Sequence, residues 1–491
     1  MTISAAIAES QGRPAELEGL TQIRNASRLL DHGHTALRRV VLDVAAAGLR
    51  AADPAAAVGR LVRLDNGLLR AGDRCFNLDA VRSVVLLGAG KASLPIAAAM
   101  ERMLGDRVSG GLVVGRRGTS RGRVRTEVAE ADHPVPSAAS LAAGRRLAAI
   151  ADGVRPGDLV ITAFTGGSSA LACLPPEGVP FAAKQHLHSL LLDSGASIAE
   201  INTVRKHVSA LKGGRLADRL RGASILNFTV SDVVGDSVDL LCDPVVPDTT
   251  TTREAVAVLE RCGLWSEIAP EVRQHLLSER SESPSLAGAD ITTVVLLTGA
   301  VVVERMADRV RELGRQPVIL GSAFEGEAAT LGGFVGMLAA ESSARGRPFA
   351  PGSVLVGAGG EATVTIRRSG EVDVGLGGPN QETALGFARA AGRGRAVVAA
   401  AFLDSDGSDG GTEAAGGCVD SSTAASAATA GIDLGDAFAR HDSAATLRLL
   451  GDLVMTGSTG TNVSDLWVVA IDAAEHDAAG PGAAGRPAGA P

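Results

Sequence analysis

Short apolar runs of strand length alternate along the chain with longer runs whose apolar positions recur every three or four residues. The run VVLL at 84–87 precedes a glycine turn and a helical segment, and the run DLVITAF at 158–164 is followed in the same order. A strand, a glycine turn and a helix form the repeating unit of a parallel sheet covered by helices. We therefore predict a parallel α/β domain, with a helix-rich lead-in over about 21–70.

A second block of the same alternation begins near residue 290, after a polar segment over 266–289 that contains two prolines. Such a segment predicts a domain boundary. The predicted units are an N-terminal tail (1–20), a first domain (21–285), a second α/β domain (290–475) and a disordered low-complexity tail (478–491). Ligands of such sheets bind at the carboxyl ends of the strands, so we expect the site in a cleft between the two domains.

Composition and charge exclude several classes of protein. The 491 residues carry 47 Lys and Arg against 55 Asp and Glu, a net charge of −8, so we expect neither a nucleic-acid binder nor a polybasic membrane surface. Aromatic residues make up 2%, too few for base-stacking platforms. The five cysteines form no CxxC pair, and we expect neither a signal peptide nor a membrane-spanning run. These features predict a cytoplasmic protein, monomeric or homodimeric.

Two glycine turns follow predicted strands. In GAGKAS (88–93) the glycines Gly88 and Gly90 suit close approach of the backbone to an anion at a helix start, and Lys91 adds a positive charge. The turn fails both the dinucleotide fingerprint and the Walker A pattern. A plain strand-to-helix turn with a surface lysine is the alternative interpretation.

The second turn, TGGSSA (165–170), predicts a cradle for a phosphate or a carboxylate. Its candidate binding residues are Gly166, Gly167, Ser168 and Ser169. The pattern GxSxG of a serine hydrolase is only partly matched, because alanine follows at 170. Helix capping by the two serines is an equally simple interpretation.

A basic helical face and several acidic loops complete the candidate chemistry. Arg205 and Lys212 lie seven residues apart, which puts them on one face of a helix that could attract a polyphosphate, or that could simply be solvated. Asp232, Asp406 and Asp409 follow predicted strands and are candidate ligands for Mg²⁺ or for a substrate hydroxyl, unless they only form turns. Anion cradles, a lysine and carboxylates are the set that phosphoryl transfer needs.

The sequence resembles the class II glycerate 2-kinases, the MOFRL-type glycerate kinase family, over about residues 25–470. The motifs that carry the resemblance are GAGKAS (88–93), DHPVPS (132–137), NTVRKHVSALKGGRLA (202–217), SDVVGD (231–236), GGEATVTI (359–366), GGPNQE (377–382), SDGSDGGTEAAGG (405–417) and TGSTGTNVSDL (456–466). The resemblance implies a larger N-terminal Rossmann-like domain, with a parallel sheet covered by helices on both faces, and a smaller C-terminal α/β MOFRL domain.

The same resemblance implies an activity, which is ATP-dependent phosphorylation of D-glycerate at its 2-hydroxyl with Mg²⁺. It implies a catalytic role for Lys91, and Asn380 and Glu382 are then expected to line the cleft from the second domain. The family's proposed catalytic arginine falls on Pro379, a glycine of its SGGGSA motif falls on Ser168, and its SGPT turn has Asp243. These departures motivate an alternative, a diverged relative that acts on another hydroxy acid or only binds ligands. A nicotinamide-dependent reductase is a third, less favoured hypothesis.

Overall fold

A computed structural model describes residues 19–118, 124–231, 242–366 and 373–474 of the chain. The strands of this part of the chain are β1 (Val62–Asp65), β2 (Leu68–Ala71), β3 (Arg74–Asn77), β4 (Val84–Ala89), β5 (Val108–Arg116), β6 (Glu127–Ala131), β7 (Leu159–Phe164), β8 (Ser224–Val230), β9 (Asp290–Leu297), β10 (Gln316–Gly321), β11 (Glu325–Glu327), β12 (Ser353–Thr363), β13 (Val397–Asp404), β14 (Gly416–Asp420), β15 (Leu453–Val454) and β16 (Asp465–Asp472).

Helices connect and cover these strands. They are α1 (Ala26–Leu29), α2 (Thr35–Ala51), α3 (Pro54–Leu61), α4 (Ser93–Leu104), α5 (Ala138–Asp152), α6 (Ser168–Leu171), α7 (Phe181–Asp193), α8 (Ile198–His207), α9 (Arg215–Arg219), α10 (Thr252–Arg261), α11 (Pro270–Leu276), α12 (Gly299–Glu312), α13 (Ala328–Arg345), α14 (Pro379–Ala391), α15 (Thr423–Thr429), α16 (Leu434–Ala439) and α17 (Ser443–Leu450), with short 3₁₀ turns at Gly105–Arg107 and Glu279–Ser281.

The first large sheet has six parallel strands in the order β6-β5-β4-β7-β8-β9. Every residue of β7 is buried, which is the pattern of a central strand covered on both faces. The chain runs outward from β4 to β6 and then crosses to β7 on the other side. The carboxyl ends of β4 and β7 therefore form the switch point at which such sheets bind ligands.

The second large sheet is mixed, with the order β10-β12-β16-β13-β14-β15 and β11 paired to the end of β12. Strands β10 and β11 run parallel to β12, and the other neighbours are antiparallel. A small antiparallel sheet, β1-β2-β3, follows the first helices. The predicted fold class is confirmed: a parallel sheet with helices on both faces precedes a second α/β unit.

Strand β9 belongs to a different sheet from the one that we expected. We expected the second unit to begin near 290, but β9 pairs in parallel with β8, with Ser224 opposite Asp290, as the last strand of the first sheet. Its run TTVVLL resembles any strand of either unit, so periodicity alone could not assign it. The chain passes from the first sheet to the second after Leu297. The remaining unit boundaries stay predictions.

Both sheets contribute to one hydrophobic core. That core contains buried residues of β4, β7 and β8 from the first sheet and of β12, β13 and β16 from the second, and it includes helix α2, which packs on β13 and β16. Helix α2 also carries a buried arginine, Arg38, which is 1% exposed. Its Nε donates to Asp420 Oδ2 at 2.5 Å and its Nη1 to Asp452 Oδ1 at 2.7 Å. Two ion pairs of Arg38 thus attach helix α2 to the second sheet.

Across the described ranges, the helices are all too short or too polar to traverse a lipid bilayer.

Candidate active site

The first cleft, of about 340 Å³, opens at the switch point of the parallel sheet. The turns after β4 and β7 touch there, since Lys91 N donates to Gly166 O at 3.0 Å. A Cβ on Gly90 would lie 2.3 Å from Thr165 Oγ1, and one on Gly88 would lie 2.7 Å from the Ala163 carbonyl oxygen. These two glycines therefore allow the strands and turns to approach each other, and neither lines the cleft itself.

The turn after β7 forms one wall of this cleft, through Gly166, Gly167, Ser168 and Ser169. Gly167 has φ +84°, and a Cβ there would lie 3.0 Å from His133 Cδ2, so glycine is required for both reasons. Among the described residues, no hydrogen bond uses the N–H groups of Gly166, Gly167 or Ser169. Consecutive N–H groups around a left-handed residue form a concave site for an anion.

A buried lysine supports this turn from behind. Lys212, 3% exposed, donates from Nζ to Ser168 Oγ at 2.8 Å, and its Nζ lies 5.6 Å from the ring centroid of Phe164. Burial lowers the pKa of Lys212 to about 8. Lys212 does not line the cleft, so its contact with the cleft wall runs through Ser168. The shared helical face expected for Arg205 and Lys212 does not form, because α8 ends at His207 and Lys212 lies between α8 and α9.

Arg205, in the last turn of α8, also lines the first cleft. Its Nη2 donates to His188 Nε2 at 2.9 Å. Burial, followed by the charge of Arg205, lowers the pKa of His188 to about 2, so the imidazole is neutral and accepts. Arg205 Nε is buried without a hydrogen-bond partner in the described chain. The Arg205 guanidinium is therefore positioned by a neutral imidazole, which does not offset its positive charge. That charge can then attract an anionic ligand.

Carboxylates enter the first cleft from the second sheet. Asp404 and Asp465 stand opposite each other on β13 and β16. Burial, followed by the neighbouring Asp406, raises the pKa of Asp404, and burial raises that of Asp465. Asp465 accepts from Asn380 Nδ2 at 2.6 Å. Neither aspartate carries a distinct sequence signal, since Asp404 is the last residue of β13 and precedes other aspartates in its loop, whereas Asp465 is the first residue of β16.

Lys91 connects the two units. Its ammonium forms an ion pair with Asp406, in the loop after β13, and this side chain is partly buried. Lys91 also lines a second cleft, together with Asp406. Burial, followed by the charge of Lys91, lowers the pKa of nearby His133 to about 4. Lys91 and Asp406, in the acidic loop after β13, thus line one shared cleft.

Three other candidate site residues, Asn380, Glu382 and Asp409, lie outside both clefts. Asp409 accepts from the N–H groups of Asn380 and Gln381, at 3.1 and 2.9 Å, at the start of α14, and burial raises its pKa to about 7. Glu382 bonds to His441 Nδ1 at 3.2 Å, and burial raises the pKa of Glu382. Asn380, Glu382 and Asp409 line neither cleft. Asp232 lies outside the described residues.

Metal ligation can be judged from the donor groups. Within the described ranges, no three His, Cys, Asp or Glu side chains are grouped closely enough to hold a metal ion. The five cysteines are free thiols. A cation bound here would therefore take most of its ligands from a substrate and from water.

The geometry defines an α/β protein of two packed units, with its cleft at the switch point of a parallel sheet. Residues 40–277 match a model described as a domain of unknown function, DUF4147, and residues 354–465 match the MOFRL family model. A glycerate 2-kinase from Pyrococcus horikoshii is 37% identical over 440 residues, covering 89% of this chain and 97% of its own. The chain belongs to the MOFRL-type glycerate kinase family, as its motifs predicted.

Two further comparisons bear on the fold and on the activity. The crystal structure of glycerate kinase from Thermotoga maritima aligns with a TM-score of 0.74 at 33% identity, covering 89% of this chain and 99% of that one. A relative from Agrobacterium vitis with a provisional name as a hydroxypyruvate reductase is 35% identical over 435 residues, covering 88% of this chain and 94% of its own.

Proposed function

We propose that the protein is an ATP-dependent kinase that phosphorylates the 2-hydroxyl of D-glycerate or a related small 2-hydroxy acid. The observation that carries the proposal is the Lys91–Asp406 ion pair, which joins the anion-binding turns of the parallel sheet to the carboxylate loop of the second sheet. Family membership supports the same class of reaction, since relatives across most of the chain are named glycerate kinases.

The hydroxy acid binds in the first cleft. Its carboxylate takes the Arg205 guanidinium, whose buried Nε has no partner in the described chain. The N–H groups of Gly166, Gly167 and Ser169 supply the remaining donors. A bidentate arginine contact fixes the orientation of a planar carboxylate, so the 2-hydroxyl is directed to one side of the cleft. The acidic residues of the second sheet, Asp404 and Asp465, line the same cleft and can receive it.

The chemical step is an in-line transfer of the γ-phosphoryl group. The 2-hydroxyl oxygen bonds to the γ-phosphorus while the bond from that phosphorus to the β,γ-bridging oxygen breaks. The hydroxyl proton passes to the Asp404 carboxylate, whose raised pKa suits a proton acceptor, and ADP leaves. Lys91 offsets the charge on the phosphoryl oxygens, and the two glycine turns position the reactants.

The residues fit a Mg²⁺ ion that arrives with the nucleotide. Such ions need one or two protein carboxylates, and phosphates and water supply the rest. Asp406 would hold the ion, because its carboxylate is next to Lys91 and belongs to the second cleft. When bound, Mg²⁺ would neutralise phosphate charge.

We also propose that the protein is cytoplasmic, that it is a monomer or a homodimer, and that it has no nucleic-acid or membrane partners.

The test is ATP consumption with D-glycerate, compared between the wild type, Lys91→Ala and Asp404→Asn. We expect Asp404→Asn to lower kcat by about 10²- to 10⁴-fold with little change in either KM. Lys91→Ala should lower kcat by about 10²- to 10³-fold. Turnover by either variant equal to that of the wild type would remove that residue from the mechanism.

The alternative is a diverged enzyme with another substrate, or a binding protein. It rests on Pro379, which begins α14 and offers neither a side-chain donor nor an N–H, and on the buried Asp243 beside the first cleft. Calorimetry with ATP and a panel of 2-hydroxy acids separates the cases. ATP binding with turnover of another acid favours divergence, and no ATP binding refutes a kinase. Oxidation of NADH with hydroxypyruvate would instead support a reductase.

A further inference from the structure

The second cleft has a volume of about 450 Å³ and is lined by two glycine-rich loops, 407–413 and 457–461, together with Arg24 and Arg116. It meets the first cleft at Lys91, which lines both. None of the sequence motifs had singled out the two arginines. We infer that the second cleft binds the polyphosphate chain of a nucleoside triphosphate, with the terminal phosphate at Lys91. This inference rests on the proposed kinase function and specifies where each substrate binds.

The charges of the two clefts favour this assignment over the reverse one. Of the described residues, four acidic ones line the first cleft, against two cations, Lys91 and Arg205; these acids are Asp243, Glu361, Asp404 and Asp465. The second cleft has, among the same part of the chain, three cations against two carboxylates, Asp406 and Glu413. A triphosphate is a polyanion and prefers the cleft with the cationic excess. A hydroxy acid carries one carboxylate and needs a proton acceptor, which the first cleft supplies.

The two arginines of the second cleft have no acidic partner in the part of the chain that the structure describes. Neither Arg24 nor Arg116 forms an ion pair or a side-chain hydrogen bond within the described ranges. Arg24 also lies directly over one of the loops, since a Cβ on Gly457 would be 2.2 Å from Arg24 Nη2. Glycine at 457 thus lets the guanidinium and the loop backbone face the same space.

Polar groups of the loop at 457–461 are also unsatisfied. No hydrogen bond among the described residues uses the N–H groups of Gly457, Ser458 or Gly460. Thr461 is 1% exposed, lines the cleft, and has an Oγ1 atom without a partner in the described chain. A buried hydroxyl without a partner is costly, because it has lost its hydrogen bonds to water. A phosphate oxygen would satisfy the hydroxyl and the N–H groups together.

The experiment measures binding of ATP and of inorganic triphosphate by calorimetry in the full-length protein. The main variant is Arg24→Ala/Arg116→Ala, and its matched control is Arg60→Ala/Arg145→Ala, which removes two exposed arginines outside both clefts. We expect the main variant to raise both dissociation constants by about 30- to 100-fold, and the control to leave them within about twofold.

Two further variants make the outcome decisive. Thr461→Val keeps the charge and the shape, and it should weaken triphosphate by about tenfold. Arg205→Ala should raise the KM for the hydroxy acid and leave triphosphate binding unchanged. If the main variant binds like its control, or if Arg205→Ala weakens triphosphate instead, the inference is overturned while the kinase proposal stands. If the wild type binds neither ATP nor triphosphate, the proposed function itself fails.

Discussion

Replacing Lys212 by methionine should stabilise the protein near neutral pH. The lysine is 3% exposed, and burial lowers its pKa from 10.5 to about 8. A shift of that size corresponds to a free-energy cost of roughly 3 kcal/mol for keeping the ammonium charged in the folded state. Methionine has a similar length and no charge. It loses the hydrogen bond to Ser168 Oγ, which contributes about 1 kcal/mol.

The sign of the effect depends on pH. Below pH 8 the lysine is protonated in both the folded and the unfolded chain, so the full cost of the buried charge is present. Between pH 8 and 10.5 the folded lysine loses its proton while the unfolded one keeps it, and the wild type gains stability as pH rises. We expect Lys212→Met to be more stable by about 2 kcal/mol at pH 7 and less stable by about 1 kcal/mol near pH 10.5.

Urea unfolding at both pH values measures this difference, with the fluorescence of Trp265 and Trp467 reporting on the two units. Ser168→Ala is the matched control, because it removes the same hydrogen bond and leaves the charge in place. Its loss of about 1 kcal/mol should be the same at both pH values. A methionine variant that is less stable at pH 7, or whose advantage does not shrink with rising pH, would refute the reasoning.

Three further outcomes follow from the same structure. Arg205→Ala should raise the KM for the hydroxy acid by about 10- to 100-fold without changing that for ATP, and equal shifts in steady-state assays would contradict the assigned role. Gly167→Ala and Gly178→Ala, both at φ +84°, should each lose about 1–2 kcal/mol in thermal unfolding, yet only the first, beside the cleft, should lower turnover. Arg38→Met should cost about 3–5 kcal/mol of unfolding free energy, because it leaves the buried Asp420 unpaired, and an unchanged melting temperature would argue against that ion pair.

The fold was predictable because its signals are local. Each strand, glycine turn and helix of the parallel sheet is encoded within about thirty residues, and the turns at 88–93 and 165–170 mark its switch point. The assignment of β9 was not predictable, since it depends on pairing with β8, more than sixty residues earlier. Periodicity identifies a strand but does not identify its neighbour.

The candidate site was predictable only in part. Lys91 and the turn at 166–169 follow strands of the first sheet, so chain order alone brings them to one edge. Residues that act through tertiary contacts could not be placed in this way. Lys212 lies behind the cleft wall rather than in the cleft, and Asp409 holds the start of α14. The cationic excess of the second cleft depends on Arg24 and Arg116. These two arginines lie far apart in the sequence and belong to none of the motifs.

Helix α2 limits how the protein can be divided for experiments. Most of the helix, from residue 40 onward, falls within the first family match, yet it packs on β13 and β16. Arg38, just before that match, binds carboxylates that belong to the second unit. A gene fragment limited to 354–465 would expose the sheet face that this helix covers and leave two aspartates without their cation. Truncation therefore cannot isolate either half in its native state, and the two halves are expected to have been inherited as one folding unit.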